Sequence, residues 1–171
     1  AVMDHFHLLT EKSVMAHGTQ LTSDDLTTLR QRGTTIAHCP ISNVYFGNGV
    51  LAVKKLLAYG NSVGLGSDIS GGYSPSLYHN IRQAIKSSQM LTDGVDSSLA
   101  TATRGVKDSR ITMANAFYLA TVGGAKALQL KVGKIAPGFQ ADFQIVNGHQ
   151  PLMKLSIADV FQRLMYQTEQ Q

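Results

Sequence analysis

Thr34-Thr35-Ile36-Ala37-His38-Cys39-Pro40 is the stretch that decides the fold. It is a short β-branched and apolar run that stops at a histidine, and the proline just beyond cannot continue a central strand. The same pattern stands on either side. Upstream, Val14-Met15-Ala16-His17-Gly18 ends in a histidine and a glycine; downstream, Val63-Gly64-Leu65-Gly66-Ser67-Asp68 ends in a carboxylate. Helix-forming sequence separates each run from the next. Strand–helix alternation of this kind predicts an α/β fold with a parallel sheet and right-handed crossovers. In a β/α barrel, polar residues at the C-terminal strand ends open onto one mouth.

The segments between the runs carry their own start and stop signals. Thr22-Ser23-Asp24-Asp25 is a helix start with acids in the first turn, Leu21, Leu26 and Leu29 give an apolar stripe, and Gly33 stops the helix. Pro40 to Gly49 reads as a loop, and Val50 to Tyr59 as a helix with Val50, Val53, Leu56 and Leu57 on one face. Pro75 opens a helix at its first position, with Leu77, Ile81, Ala84, Ile85 and Met90 turned inward. Thr92 to Ser109 is polar and unpatterned. Thr112 caps a helix that Gly123-Gly124 interrupts and that Ala125 to Leu130 continues. Gly133 to Gly138 reads as a strand and turn, Ala141 to Val146 as a strand, and Ser156 to Tyr166 as a helix. No internal repeat or low-complexity tract is visible.

The chain has 171 residues, of which 43% are apolar and 15% charged, the balance of a globular domain. A complete β/α barrel takes about 250 residues, so only part of one fits. The start at Ala1 agrees with a piece of a longer protein. A net charge of +4, with Lys54-Lys55 and the Arg30/Arg32 pair as the densest basic points, describes solvated helix faces and not a nucleic-acid stripe. No apolar run reaches the ~18 residues of a membrane span, and the first residues lack a secretory pattern. The single Cys39 excludes an internal disulfide and suits a reducing, cytoplasmic compartment.

His17, His38 and Asp68 are the candidate site. Singly, each has an ordinary explanation: a satisfied structural histidine, or an Asx turn at the aspartate. Together, at successive strand ends, they point to metal-assisted hydrolysis, in which a carboxylate takes a proton from an activated water and a histidine orients it. Other readings are weaker. His5-Phe6-His7 would place two imidazoles on one face if it were a strand, but Leu8 to Lys12 reads as helix or turn and leaves no room for a crossover before His17. Cys39 and His38 are adjacent, so on a strand they face opposite ways and make no dyad. One cysteine excludes the Cys-x-x-Cys zinc deaminases. Gly64-x-Gly66 lacks the third glycine of a dinucleotide loop, where Ile69 stands.

Three longer strings carry a resemblance: Leu8-Leu9-Thr10-Glu11-Lys12-Ser13-Val14-Met15-Ala16-His17-Gly18, Ile36-Ala37-His38-Cys39-Pro40-Ile41-Ser42-Asn43, and Val63 to Asp68 continued by Ile69-Ser70-Gly71-Gly72-Tyr73-Ser74-Pro75. They resemble the C-terminal part of the amidohydrolase superfamily of metal-dependent hydrolases, and Gly71-Gly72-Tyr73-Ser74 narrows this to its guanine deaminase family. The stretch from Gly133 to Phe143 resembles the return into that family's small β domain. The resemblance implies strands six to eight of a (β/α)8 TIM-type barrel over 1–131, strands of the flanking β domain over 132–147, and a divergent helical and polar tail over 148–171. It implies hydrolytic deamination of guanine to xanthine and ammonia with a Zn2+ cofactor and a small purine substrate. Asp68 is then zinc ligand and proton acceptor, His17 the catalytic group beside the metal, and His38 and Asn43 the substrate-binding wall. The superfamily's first-strand His-x-His, fifth-strand His and proton-shuttling Glu have no counterpart in the chain. Two other outcomes stand beside this one: a non-catalytic form that associates with a full-length copy through an exposed barrel edge, or another ring aminohydrolase of the superfamily.

Overall fold

The computed structural model describes residues 2–146 and 155–167. The chain opens with a one-turn helix α1 (Val2–His5), then β1 (Val14–Ala16), α2 (Ser23–Arg32), β2 (Thr35–His38), α3 (Pro40–Tyr45), α4 (Val53–Ala58) and β3 (Val63–Leu65). The three strands form one parallel sheet in the order β1-β2-β3. Ala16 stands opposite Ala37, and Ala37 opposite Gly64, so the strands end level with one another.

Local chemistry explains these elements. The Thr22 hydroxyl accepts from the Asp25 amide at 3.2 Å while the Asp25 carboxylate accepts from the Thr22 amide at 2.9 Å. This reciprocal cap starts α2. Gly33, at φ 71°, ends it in the left-handed conformation. Leu26 and Leu29 are buried on its inner face, in the same cluster as Ile36, Leu56 and Val63. The arm before β1 is held by Arg32, whose Nε donates to Asp4 Oδ1 at 2.7 Å.

Residues 40–49 depart from the loop expected of them. Pro40 stands at the first position of α3, where its fixed φ is already helical and its missing N–H is not needed. Ile41, Ser42 and Asn43 are buried, so packing completes a turn that the sequence pattern is too short to announce. The helix expected from Val50 begins only at Val53, with Val53 and Leu56 inward.

Beyond β3 come α5 (Leu77–Asp93), α6 (Met113–Tyr118), a π-helical turn (Leu119–Gly123), α7 (Gly124–Ala127) and α8 (Ile157–Gln167). Ser76 is the residue flanking the start of α5, so Pro75 precedes the helix and does not open it. Ile81, Ala84 and Ile85 are buried as expected, whereas Met90 is exposed. Thr112 and Asn115 cap α6 reciprocally. The expected interruption at Gly123-Gly124 is the change from π to α geometry. A Cβ on Gly123 would stand 2.5 Å from the Val63 carbonyl oxygen, so the turn lies with bare backbone against β3.

Residues 133–138 and 141–146, expected as strands, form none. A strand needs a neighbour for its ladder, and none of the described segments offers one there. Ile135 and Ile145 are instead exposed, with Gln144 held by a 2.9 Å hydrogen bond from the Tyr78 hydroxyl. The expected helix over 156–166 is α8, opened by a Ser156–Asp159 cap. It docks along one side, while most of its residues face solvent. Met165 joins the core of Ile81 and Leu119, and Phe161 meets Phe117 edge-on at 5.3 Å. The parts of the expected tail at 148–154 and 168–171 lie outside the described residues.

Candidate active site

Each strand hands the site one group. The His17 amide donates to the Ala37 carbonyl at 2.9 Å, and the Gly66 amide to the His38 carbonyl at 2.8 Å, so both ladders extend just past the strand ends. There the backbone turns sharply. His17 has φ 69° and Asp68 φ 50°, left-handed values that cost a non-glycine residue about 1–3 kcal/mol. Both candidate residues hold this conformation, and their side chains approach each other. His17 Nε2 lies 3.7 Å from Asp68 Oδ2, and each side chain is about a third exposed, at 36% and 35%.

That separation is too long for a direct hydrogen bond and suits a shared third atom or a bridging water. On its other side, His17 Nδ1 is 2.8 Å from Asn43 Oδ1. The loop after Asp68 is equally constrained. A Cβ on Gly71 would approach Asp68 Oδ2 to 2.8 Å, so only glycine leaves the carboxylate in place. Ser74 then ties the loop to α5, its hydroxyl 2.8 Å from His79 Nδ1. Asn80 Nδ2 donates to the Ser76 carbonyl at 3.0 Å.

His38 and Asn43 are expected to touch substrate, but they are only 2% and 1% exposed. Alternation along β2 puts His38 on the face of Ile36, a member of the helix-covered core. Both side chains are thus enclosed within this chain. Burial pushes the His38 pKa down to about 4, so its imidazole is neutral at neutral pH. Burial also pushes the Cys39 thiol up, and its Sγ lies 3.4 Å from the Ala37 carbonyl, a structural thiol in its protonated form. His5 ends α1, and His7 follows in a left-handed turn at φ 55°; neither is on a strand.

A structural or catalytic zinc takes three or four protein donors, oxygen and nitrogen at about 2.0–2.2 Å. Asp68 fits one such position, with a partly exposed carboxylate on a constrained strand end. Among the described residues no group of three or more His, Cys, Asp or Glu side chains comes together. The donor set thus fits one corner of a zinc site and not a whole one. A cavity of about 970 Å3 lies elsewhere, between α5, α6 and α8, and is lined mainly by apolar groups such as Leu77, Ile81, Phe117 and Phe161. None of the strand-end residues borders it.

The sequence did not announce two of these features. Asn43 meets His17 from 26 positions away, and the Ser74–His79 tie depends on how the loop folds back on α5. Neither contact has a local signature.

A parallel sheet with constrained, polar C-terminal strand ends defines a class, and the comparison with known sequences agrees. This chain belongs to the amidohydrolase family, whose model matches residues 1–167. Among individual proteins, it is 36% identical over 178 residues to a guanine deaminase of Dictyostelium discoideum, covering 96% of this chain and 36% of that protein. It is 37% identical over 149 residues to the Homo sapiens guanine deaminase, covering 86% of this chain and 31% of that protein. Of solved structures, the E. coli guanine deaminase superposes with a TM-score of 0.76 at 28% identity, over 96% of this chain and 37% of that one. The chain spans about a third of the length of these relatives. Among the described residues no helix is long and apolar enough to cross a membrane.

Proposed function

We propose that this chain forms one side of a guanine deaminase site, built on strands six to eight of a (β/α)8 barrel. The observation that carries the reading is the His17–Asp68 pair: two groups on strand ends, both in left-handed backbone, with Nε2 and Oδ2 at 3.7 Å. The similarity to guanine deaminases supports guanine as the substrate. Residues 132–147 lead into a flanking β domain, which explains a strand-like pattern with no strand beside it. The exposed residue Val14 on β1 marks the sheet edge through which a further strand, or a second copy, joins.

In this reading Asp68 gives one carboxylate to a zinc ion whose other ligands lie outside this chain. Bound zinc would lower the pKa of water and polarise the substrate. The chain's own residues do the following. Asp68 Oδ2 receives a proton as water adds to the amino-bearing carbon of guanine. His17 Nε2, facing the same point, orients that water by accepting a hydrogen bond from it. That proton passes on from Asp68 to the amino group, the carbon–nitrogen bond breaks, and ammonia leaves as xanthine forms. His38 and Asn43 form the rigid wall behind His17.

A chimera tests this. Residues 1–167 of this chain replace the matching third of the Dictyostelium discoideum protein, and the product is offered guanine and a panel of other amino-bearing heterocycles. Xanthine formation, with guanine preferred, is expected. A folded chimera that deaminates another ring and leaves guanine untouched would overturn the substrate, and one that deaminates nothing would overturn the activity.

A further inference from the structure

We propose that Asn43 is a positioning residue that sets the tautomer of His17. Asn43 Oδ1 lies 2.8 Å from His17 Nδ1. With the amide oxygen turned toward the ring, it accepts and Nδ1 carries the proton and donates it; Asn43 Nδ2 has no hydrogen-bond partner among the described residues. In the neutral ring the lone pair is then on Nε2, the atom that faces Asp68 Oδ2 across 3.7 Å. Without that bond, either nitrogen can hold the proton. An Nε2–H group would occupy the face that the proposed reaction needs free to accept.

Asn43 is suited to this because it is buried and cannot ionise. It is on α3, whose Pro40 start fixes the helix at the end of β2, and it is 1% exposed. Its own amide N–H donates to the Cys39 carbonyl at 2.9 Å, and its carbonyl accepts from the Asn48 amide at 2.8 Å. The main chain that carries the side chain is thus held on both sides. An amide at this position orients the ring without bringing a charge of its own.

The inference rests on the proposed role of His17, yet its test does not need activity. Imidazole 15N shifts of His17, assigned in the 171-residue chain at a pH where the ring is neutral, report the tautomer directly. The Nδ1–H form is expected in the unaltered chain. Asn43→Ala should shift the population toward Nε2–H, and Asn43→Asp, which restores an acceptor, should return it to Nδ1–H. An Nε2–H tautomer in the unaltered chain would overturn the proposal without any variant, so a misfolded Asn43→Ala does not leave it undecided. An unchanged tautomer in a folded Asn43→Ala would overturn it as well. In the chimera, Asn43→Ala should lower kcat at least tenfold with KM changed less than threefold; a rise in KM alone would mean substrate contact instead. If the chimera deaminates nothing while the tautomer shifts as expected, the functional reading fails and the positioning role stands.

Discussion

His38, at the end of β2, holds its imidazole where water cannot reach it, and burial lowers its pKa from 6.5 to about 4. In the unfolded chain the same ring takes a proton near its ordinary value. Between these two pH values the unfolded state binds a proton that the native state does not. Stability is therefore full above about pH 6.5, falls as pH falls toward 4, and loses on the order of 3 kcal/mol in total. His38→Leu should flatten that slope. Urea midpoints of both proteins from pH 7 to pH 4 check it; an equal slope in the variant would assign the dependence to other groups. His17, by contrast with buried His38, is partly exposed. In the chimera, His17→Asn should cut guanine turnover by about 100-fold or more, the usual loss of a positioned acid–base group. The melting temperature of the 171-residue chain should barely change. A large drop in melting temperature with unchanged turnover per folded molecule would return His17 to a structural role.

Elements here are set partly by pattern and partly by close contact. The capped helix α2 was legible because Thr22, Asp25, the leucine stripe and Gly33 are all local signals. The three strands were legible because each ends in a polar residue and a turn. α3 was not, since its six residues are helical through Pro40 and burial rather than periodicity. The strand-like runs after Gly133 failed differently: a strand is a property of two paired segments, and neither run has a partner among the described residues. At the site, His17 and Asp68 could be picked from the sequence, whereas the Asn43 contact that orients His17 could not. The π turn gives a test at this scale. Its Gly123 lies against the Val63 carbonyl, and backbone cannot yield as a side chain can. Gly123→Ala should cost about 1–3 kcal/mol, the usual penalty for forcing a methyl into a filled space. Thermal melting of the two chains checks it; an unchanged midpoint would mean that the turn and β3 are not in contact.

The whole chain presents a sheet with an exposed outer strand and apolar side chains such as Ile135, Ile145 and Ile157 in solvent. Such surfaces favour association. Sedimentation of the 171-residue protein should show self-association, and a strictly monomeric species across the micromolar range would contradict it. One zinc donor at Asp68 with His17 beside it makes a poor site alone. Metal analysis of the same protein should therefore find zinc well below one per chain, and a tightly held equivalent would show that His5 or His7 had been undervalued. The central claim, that Asp68 is the carboxylate of a deaminating centre, is tested most directly in the chimera. Asp68→Ala there should abolish xanthine formation from guanine and weaken zinc retention while the fold, read by circular dichroism and melting, is kept. Near-normal xanthine formation by the folded Asp68→Ala chimera would contradict the account.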